Sequence, residues 1–100
     1  MQKKEKDIEE RFVERMKECR CLPLKFVSPG HNGVPDRIVL VPGGYVVFVE
    51  LKQDGKTPRK LQKYMHKRFR SFGLLVFSDV STPEDIEDVV KAVRGLQHVE

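Results

Sequence analysis

Apolar residues recur every three or four positions in three segments of the chain, and this spacing predicts amphipathic helices. In the first segment Ile8, Phe12 and Met16 alternate with charged residues, so one face of that helix is expected to pack inward. The third helix is expected to end before Gly95. The predicted helices cover residues 7–20, 58–72 and 83–94.

The ends of the second and third helices carry capping signals. Thr57 followed by Pro58 is typical of an N-cap with proline in the first turn, and Gly73 is suited to end the same helix. Thr82 and Asp85 approximate a capping box, in which the two side chains bond each other's backbone N–H groups. These signals predict where two of the three helices begin.

Other segments have the period of two, or the short apolar run, that is typical of strands. A loop rich in Pro, Gly and Asn is expected at 28–33. The resulting order αβββαβα predicts an α/β fold with one mixed central sheet and helices on both of its faces. The predicted strands cover residues 22–27, 36–41, 45–52 and 74–78.

The second and third strands form a predicted hairpin around the turn at 42–44. If the turn is symmetric about Gly43, Asp36 lies directly opposite Glu50, because each is seven residues from the centre. Side chains alternate between faces, so Lys52 projects on the same face as Glu50. The sequence therefore predicts two carboxylates and a lysine at one end of the hairpin.

Two carboxylates that face each other repel unless positive charge lies between them. A hard divalent cation meets this need, since Mg²⁺ is commonly held by one or two carboxylates with waters and phosphate oxygens. Lys52 beside such an ion could stabilise charge on a phosphate. The alternative from spacing alone is a surface cluster in which the lysine neutralises the two acids.

Length and composition indicate an ordinary globular chain. With 100 residues, 39% of them hydrophobic and 34% charged, the chain is expected to form one domain over 1–100. No apolar run is long enough to span a bilayer and no signal-peptide pattern is present, so we expect a cytoplasmic protein without a membrane partner. Cys19 and Cys21 are too close in sequence for a disulfide that would stabilise the fold, and they are expected to be reduced, structural thiols.

Positive charge is concentrated in one segment. Residues 52–70 contain eight Lys and Arg residues and a single acid, Asp54. A basic face of this kind indicates a polyanionic partner such as nucleic acid, although a solvated helix is the alternative. The sequence shows no interleaving of aromatic and basic residues typical of a single-strand stacking platform, and no helix-turn-helix or zinc pattern.

The residues of the hairpin match a known signature. GVPDRIVLVPGG at 33–44, VFVELK at 47–52 and the downstream Gln62 resemble the PD-(D/E)XK nucleases, and within them the VRR-NUC (virus-type replication-repair nuclease) branch. The resemblance extends from Ile8 through the last strand, and αβββαβ is the order of that family's restriction-endonuclease-like core. Stand-alone members of the branch are phage-encoded or bacterial, which would place this chain in the cytoplasm, and in that of the host if it is phage-encoded.

The resemblance implies roles for the hairpin residues. Asp36 and Glu50 would bind Mg²⁺ or Mn²⁺, helped by the backbone carbonyl of Leu51, and Lys52 would be the catalytic lysine. The glutamine of the family matches Gln62, which the helix pattern alone would treat as an ordinary polar residue.

The family also places a glutamate on its first helix. Glu9 borders the face that should pack inward and is our first choice, with Glu10 second. A glutamate on the solvated face is the alternative interpretation.

Several basic residues are candidates for phosphate contacts in such an enzyme. His66 lies one turn after Gln62 on the same side of its helix, and a partly buried structural role is its alternative. Ordinary surface positions are the alternative for the others. The candidate nucleic-acid-binding residues are Lys25, His31, Lys60, Lys63 and Lys67.

The function expected from the resemblance is metal-dependent hydrolysis of DNA phosphodiester bonds, on structured DNA such as flaps or four-way junctions. A chain of this length has little room for a separate targeting domain, so selectivity for DNA shape is expected to come from a homodimer. Two other classes remain open, a catalytically silent DNA-binding module on the same fold and an interaction protein with a salt-bridged hairpin surface.

Overall fold

The computed structural model describes residues 5–52 and 59–98. The described elements follow the predicted order αβββαβα. They are α1 (Glu5–Glu18), β1 (Leu22–Lys25), β2 (Arg37–Val41), β3 (Tyr45–Leu51), α2 (Lys60–Ser71), β4 (Leu75–Val80) and α3 (Pro83–Gln97).

The four strands form one sheet in the order β1-β2-β3-β4. β1 pairs with β2 and β2 with β3 in antiparallel fashion, whereas β4 lies parallel to β3. The parallel pair requires a crossover connection, and the segment that contains α2 supplies it. The prediction of an α/β fold with a mixed sheet is confirmed.

Helices cover both faces of the sheet, as predicted. α1 and α3 pack together on one face, where Phe12, Met16 and Ile86 are fully buried against the valines of β2 and β3. α2 lies on the other face, and Phe69 contacts the ring of Phe48 edge-on at a centroid distance of 4.9 Å. Successive side chains of β3 therefore pack against helices on opposite faces of the sheet.

The predicted register of the hairpin is confirmed. Val41 pairs with Tyr45, and the ladder runs back to Arg37 opposite Val49. The turn needs glycine, because Gly43 and Gly44 have φ values of 101° and 90°.

Some element ends differ from the predictions. α1 ends at Glu18 because Arg20 turns the chain with a φ of 65°, and α3 continues through Gly95 to Gln97. Gln97 Nε2 donates a 2.9 Å hydrogen bond to the carbonyl of Cys19, and this tertiary contact helps to offset the roughly 1 kcal/mol cost of glycine within a helix.

The observed ends of two strands also differ from the predicted ends. β1 stops at Lys25, where its pairing with β2 ends, and β4 runs to Val80 because it pairs with the end of β3. α2 begins at Lys60, and Gly73 follows it with a φ of 84°, as predicted. The predicted cap at Thr57 and Pro58 lies outside the described residues.

The thiols of Cys19 and Cys21 are both free and buried, in agreement with the prediction. Burial raises the pKa of the Cys21 thiol, which favours the neutral form. Among the described residues, no helix has the length and apolar content needed to cross a bilayer.

Candidate active site

The two predicted carboxylates meet where the hairpin ladder ends. Beyond the Arg37–Val49 pair, the backbone N–H groups donate to side-chain carboxylates instead of to backbone carbonyls. The N–H of Asp36 donates to Glu50 Oε1 at 3.0 Å. In return, the N–H of Leu51 donates to Asp36 Oδ1 at 3.2 Å. Each strand end thus supplies one carboxylate to the other strand, and these bonds hold both acids in place.

Lys52 and Gln62 complete a closed set of contacts around Glu50. Lys52 Nζ lies 3.1 Å from Glu50 Oε2 and donates to Gln62 Oε1 at 2.7 Å. Gln62 Nε2 donates to the same Glu50 oxygen at 3.1 Å. The structure therefore brings together four of the predicted site residues, Asp36, Glu50, Lys52 and Gln62.

The backbone on either side fixes these side chains. The N–H of Lys52 donates to the carbonyl of Val80 at 2.9 Å, so the strand end is tied to β4. Gln62 Oε1 also accepts from the N–H of Arg59 at 2.9 Å, which joins the start of α2 to the site. Gln62 consequently serves two purposes, as the polar partner of Lys52 and as a cap of its own helix.

Glu50 is buried among these partners. The residue is only 5% exposed, and a buried carboxylate is costly unless donors and opposite charge surround it. One backbone N–H, one amide and one ammonium meet that need. Asp36, Glu50 and Lys52 together carry a formal net charge of −1.

His66 lies behind Glu50 and is fully buried, with 0% exposure. Its Nδ1 forms a 2.8 Å hydrogen bond with Ser78 Oγ, and its Nε2, which has no hydrogen-bond partner, lies 3.9 Å from Glu50 Oε1. Burial, together with the nearby positive charges of Arg70 and Lys52, lowers the pKa of His66 to about 4. The ring is therefore neutral at neutral pH and contributes no charge to the site.

Glu9 is placed apart from this cluster. Its carboxylate pairs with Arg37 Nη2 at 3.2 Å, and Arg37 points to the α1 side of the sheet while Asp36 points to the α2 side. Glu10 is exposed. The predicted glutamate of the first helix is thus connected to the site through the residue next to Asp36.

The five predicted nucleic-acid-binding residues are all exposed. His66, which was a further candidate for a phosphate contact, is buried instead, as its alternative structural role requires. Lys25 ends β1, and His31 lies in the loop after it. Lys60, Lys63 and Lys67 lie on α2, the helix that also carries Gln62.

The donor set fits a hard divalent cation. Within residues 5–52 and 59–98 no three His, Cys, Asp or Glu side chains form a metal-binding group, so the described side chains supply two carboxylates rather than a full cage. Mg²⁺ is commonly bound in this way, with waters and substrate phosphates as its other ligands. A carboxylate has about four lone-pair sites, and Glu50 uses three in the contacts above.

Sequence reasoning missed an aromatic cleft beside the site. The cleft has a volume of about 440 Å³ and lies between α2 and the loop that follows β1. Its aromatic side chains come from residues far apart in the chain, which hides the pattern from a linear reading. They are Phe26, Tyr64, Phe69 and Phe72.

Comparisons with known proteins agree with this geometry. "Putative nuclease p44" of Acyrthosiphon pisum secondary endosymbiont phage 1 is 37% identical over 91 residues, which cover 91% of this chain and 96% of that protein. A solved structure described as a VRR_NUC domain superposes with a TM-score of 0.80 at 30% identity, covering 87% of this chain and 94% of that one. The chain belongs to the VRR-NUC family. No family model matches it. The VRR-NUC fold is confirmed over the superposed residues.

Proposed function

We propose that this VRR-NUC protein is a divalent-metal-dependent endonuclease that hydrolyses phosphodiester bonds in DNA. The main supporting observation is that the backbone N–H of Asp36, Lys52 Nζ and Gln62 Nε2 all lie within 3.1 Å of a Glu50 carboxylate oxygen. Family membership supports the same reaction class. The clustering of these groups at one end of a hairpin leaves the acids, the lysine and the basic helix on one side of the sheet.

Asp36 and Glu50 would hold Mg²⁺ or Mn²⁺, together with the carbonyl of Leu51. When bound, the cation supplies positive charge at the scissile phosphate and lowers the pKa of the attacking water. The Lys52 ammonium stabilises negative charge that develops on the phosphate oxygens. Gln62 is a positioning residue, because it accepts from Lys52 and donates to Glu50 and so limits the movement of both.

Branched DNA is the proposed substrate class, and a homodimer is the proposed active form. A symmetric dimer would present two sites to two strands of a junction. Support comes from the sheet itself, since three leucines remain exposed on one face of β1 and β2 and offer an apolar surface to a second copy. They are Leu22, Leu24 and Leu40.

Single-turnover cleavage of labelled linear, flap and four-way DNA, with Mg²⁺, Mn²⁺ or chelator, tests the proposal. The wild type is expected to cut only with metal, and Lys52→Ala is expected to lose roughly 10²- to 10³-fold in rate while it still binds DNA. Lys52→Arg should restore little, because the planar guanidinium cannot occupy the position of the ammonium. Lys91→Ala, on the exposed surface of α3, is the matched control.

Melting curves in the same metals separate the alternatives. A cation that relieves repulsion between Asp36 and Glu50 should raise the melting temperature, and Asp36→Asn should remove most of that gain. A silent DNA-binding module would bind DNA without cutting it under any condition. Cleavage by Lys52→Ala at the wild-type rate would refute the role of Lys52.

A further inference from the structure

The aromatic cleft has a size and an aromatic lining that suit a flat, apolar group. Its floor is packed, because Phe69 lies against Phe26 at a centroid distance of 6.4 Å and against Phe48 at 4.9 Å. Its rim is open, since Tyr64 is 55% exposed and Phe72 is 71% exposed. A volume of about 440 Å³ is within the usual 300–1,000 Å³ range of small-molecule pockets.

The cleft adjoins the candidate active site through two shared segments. Val34 lines the cleft and Asp36 is two residues further along the same loop, a separation of at most about 7 Å along the chain. The loop lies tightly on α2, because a Cβ on Gly33 would come within 2.9 Å of the Leu61 carbonyl oxygen. α2 then presents Met65 to the cleft and, one position later, His66 towards Glu50.

Charge identifies the kind of occupant. Helix α2 carries five Lys and Arg residues and no Asp or Glu, and Arg68 lines the cleft together with His31. A second copy docked symmetrically here would bring two such helices face to face, and like charges would oppose it. A nucleotide satisfies both features, because its base is flat and aromatic and its phosphate is anionic.

We propose that the cleft receives one unstacked nucleobase of the substrate strand, next to the phosphate that is cleaved. Tyr64 and Phe72 would contact the faces of the base, and the basic residues of α2 would contact the flanking phosphates. Stacking tolerates any base, so the cleft would select unpaired nucleotides without reading their sequence. Strand ends and junctions supply such nucleotides, whereas an intact duplex does not. The proposal rests on the proposed nuclease function for the position of the cleaved phosphate.

The test measures binding in chelator, where no cleavage is expected. Two labelled flap DNAs are compared, one with normal nucleotides at the junction and one with abasic sites at the unpaired positions next to it. Wild type is expected to bind the normal flap more tightly, and Tyr64→Ala and Phe72→Ala should weaken that binding about tenfold or more. Both variants should bind the abasic flap as the wild type does. Leu75→Ala, an exposed apolar change on β4, should alter neither.

Three results would overturn the proposal. They are equal binding of both flaps by the wild type, an equal loss on both flaps in the variants, and dissociation of a dimer by Phe72→Ala in sedimentation, which would make the cleft a protein interface. A wild type that distinguishes the flaps but cuts neither in Mg²⁺ or Mn²⁺ would refute the nuclease function and leave the base site standing. If the wild type cuts both flaps and the missing bases change neither binding nor cleavage, the base site is refuted and the nuclease function stands.

Discussion

At the scale of single residues, the candidate site depends on how one buried carboxylate is satisfied. Glu50 accepts from a backbone N–H, an amide and an ammonium, and each donor comes from a different part of the chain. Asp36 and Lys52 could be predicted from the hairpin register, because alternation and a symmetric turn determine which residues face each other. The position of Gln62 depends on the rotation of α2, which periodicity alone does not determine.

The pair formed by Glu9 and Arg37 gives a prediction at this scale. Arg37 is 6% exposed, so Glu9→Gln would leave a buried guanidinium without its carboxylate. We expect the free energy of unfolding in urea to fall by roughly 1–3 kcal/mol. Glu10→Gln, an exposed change on the same helix, should stay within about 0.5 kcal/mol of the wild type.

Single-turnover cleavage by the same two variants addresses the role that the family implies for Glu9. If Glu9 acts in the site, cleavage by Glu9→Gln should fall at a temperature where the variant is still fully folded. Unchanged stability in urea would show that the ion pair with Arg37 contributes nothing to the fold.

At the scale of elements, the start of α3 is encoded by capping residues that can be read locally. Thr82 Oγ1 accepts from the N–H of Asp85 at 3.1 Å, and Asp85 Oδ2 accepts from the N–H groups of Thr82 and Ser81. The predicted capping box of α3 is therefore confirmed. The end of α3 was predicted too early, because the contact between Gln97 and Cys19 is invisible in the local pattern.

The capping box gives a prediction about pH. Burial alone would raise the pKa of Asp85, but the hydrogen bonds from Ser81 and Thr82 outweigh it and lower the pKa below 3.8. The ionised carboxylate therefore adds stability above that pH, and the contribution is lost as the pH falls through the lowered value. We expect Asp85→Asn to cost about 0.5–2 kcal/mol at pH 7, and the difference from the wild type to shrink in acid.

Urea unfolding between pH 7 and pH 2.5 measures this effect. Glu84→Gln changes an exposed carboxylate in the same turn and serves as the control. A difference between Asp85→Asn and the wild type that stays constant down to pH 2.5 would contradict the assignment of the lowered pKa.

At the scale of the whole molecule, the two faces of the sheet differ in the residues they hold. The face under α1 and α3 holds most of the buried apolar core. The face under α2 holds the carboxylates, the aromatic cleft and the basic helix. Most of the residues that stabilise the fold therefore lie on one face of the sheet, and the residues of the proposed active site lie on the other.

The basic helix gives a prediction about docking. Replacing Lys60, Lys63 and Lys67 with alanine should weaken DNA binding about equally for different sequences, because phosphate contacts carry no base information. The slope of log affinity against log salt should flatten by roughly 0.9 for each phosphate that the variant no longer neutralises. Alanine at Lys17, Lys91 and Arg94, which are exposed on the opposite layer, should leave the slope unchanged. Equal slopes in the two triple variants would exclude α2 as the docking face.

The sequence by itself determined the features that depend on near neighbours. Helical and strand periods, the glycine turn of the hairpin, its register and the capping box of α3 all follow from residues a few positions apart. The positions of Asp36, Glu50 and Lys52 at one strand end follow from the same register. These interactions are local, so their pattern is visible in the linear chain.

Only the tertiary structure decided which distant groups meet. It placed His66 behind Glu50, paired Glu9 with Arg37, and closed the aromatic cleft between Phe26 and Phe72. These contacts depend on the rotation and distance of α1 and α2 over the sheet, which the packing of the two layers sets as a whole. No single segment contains that information, because the position of each helix is set only when its apolar face packs against the sheet.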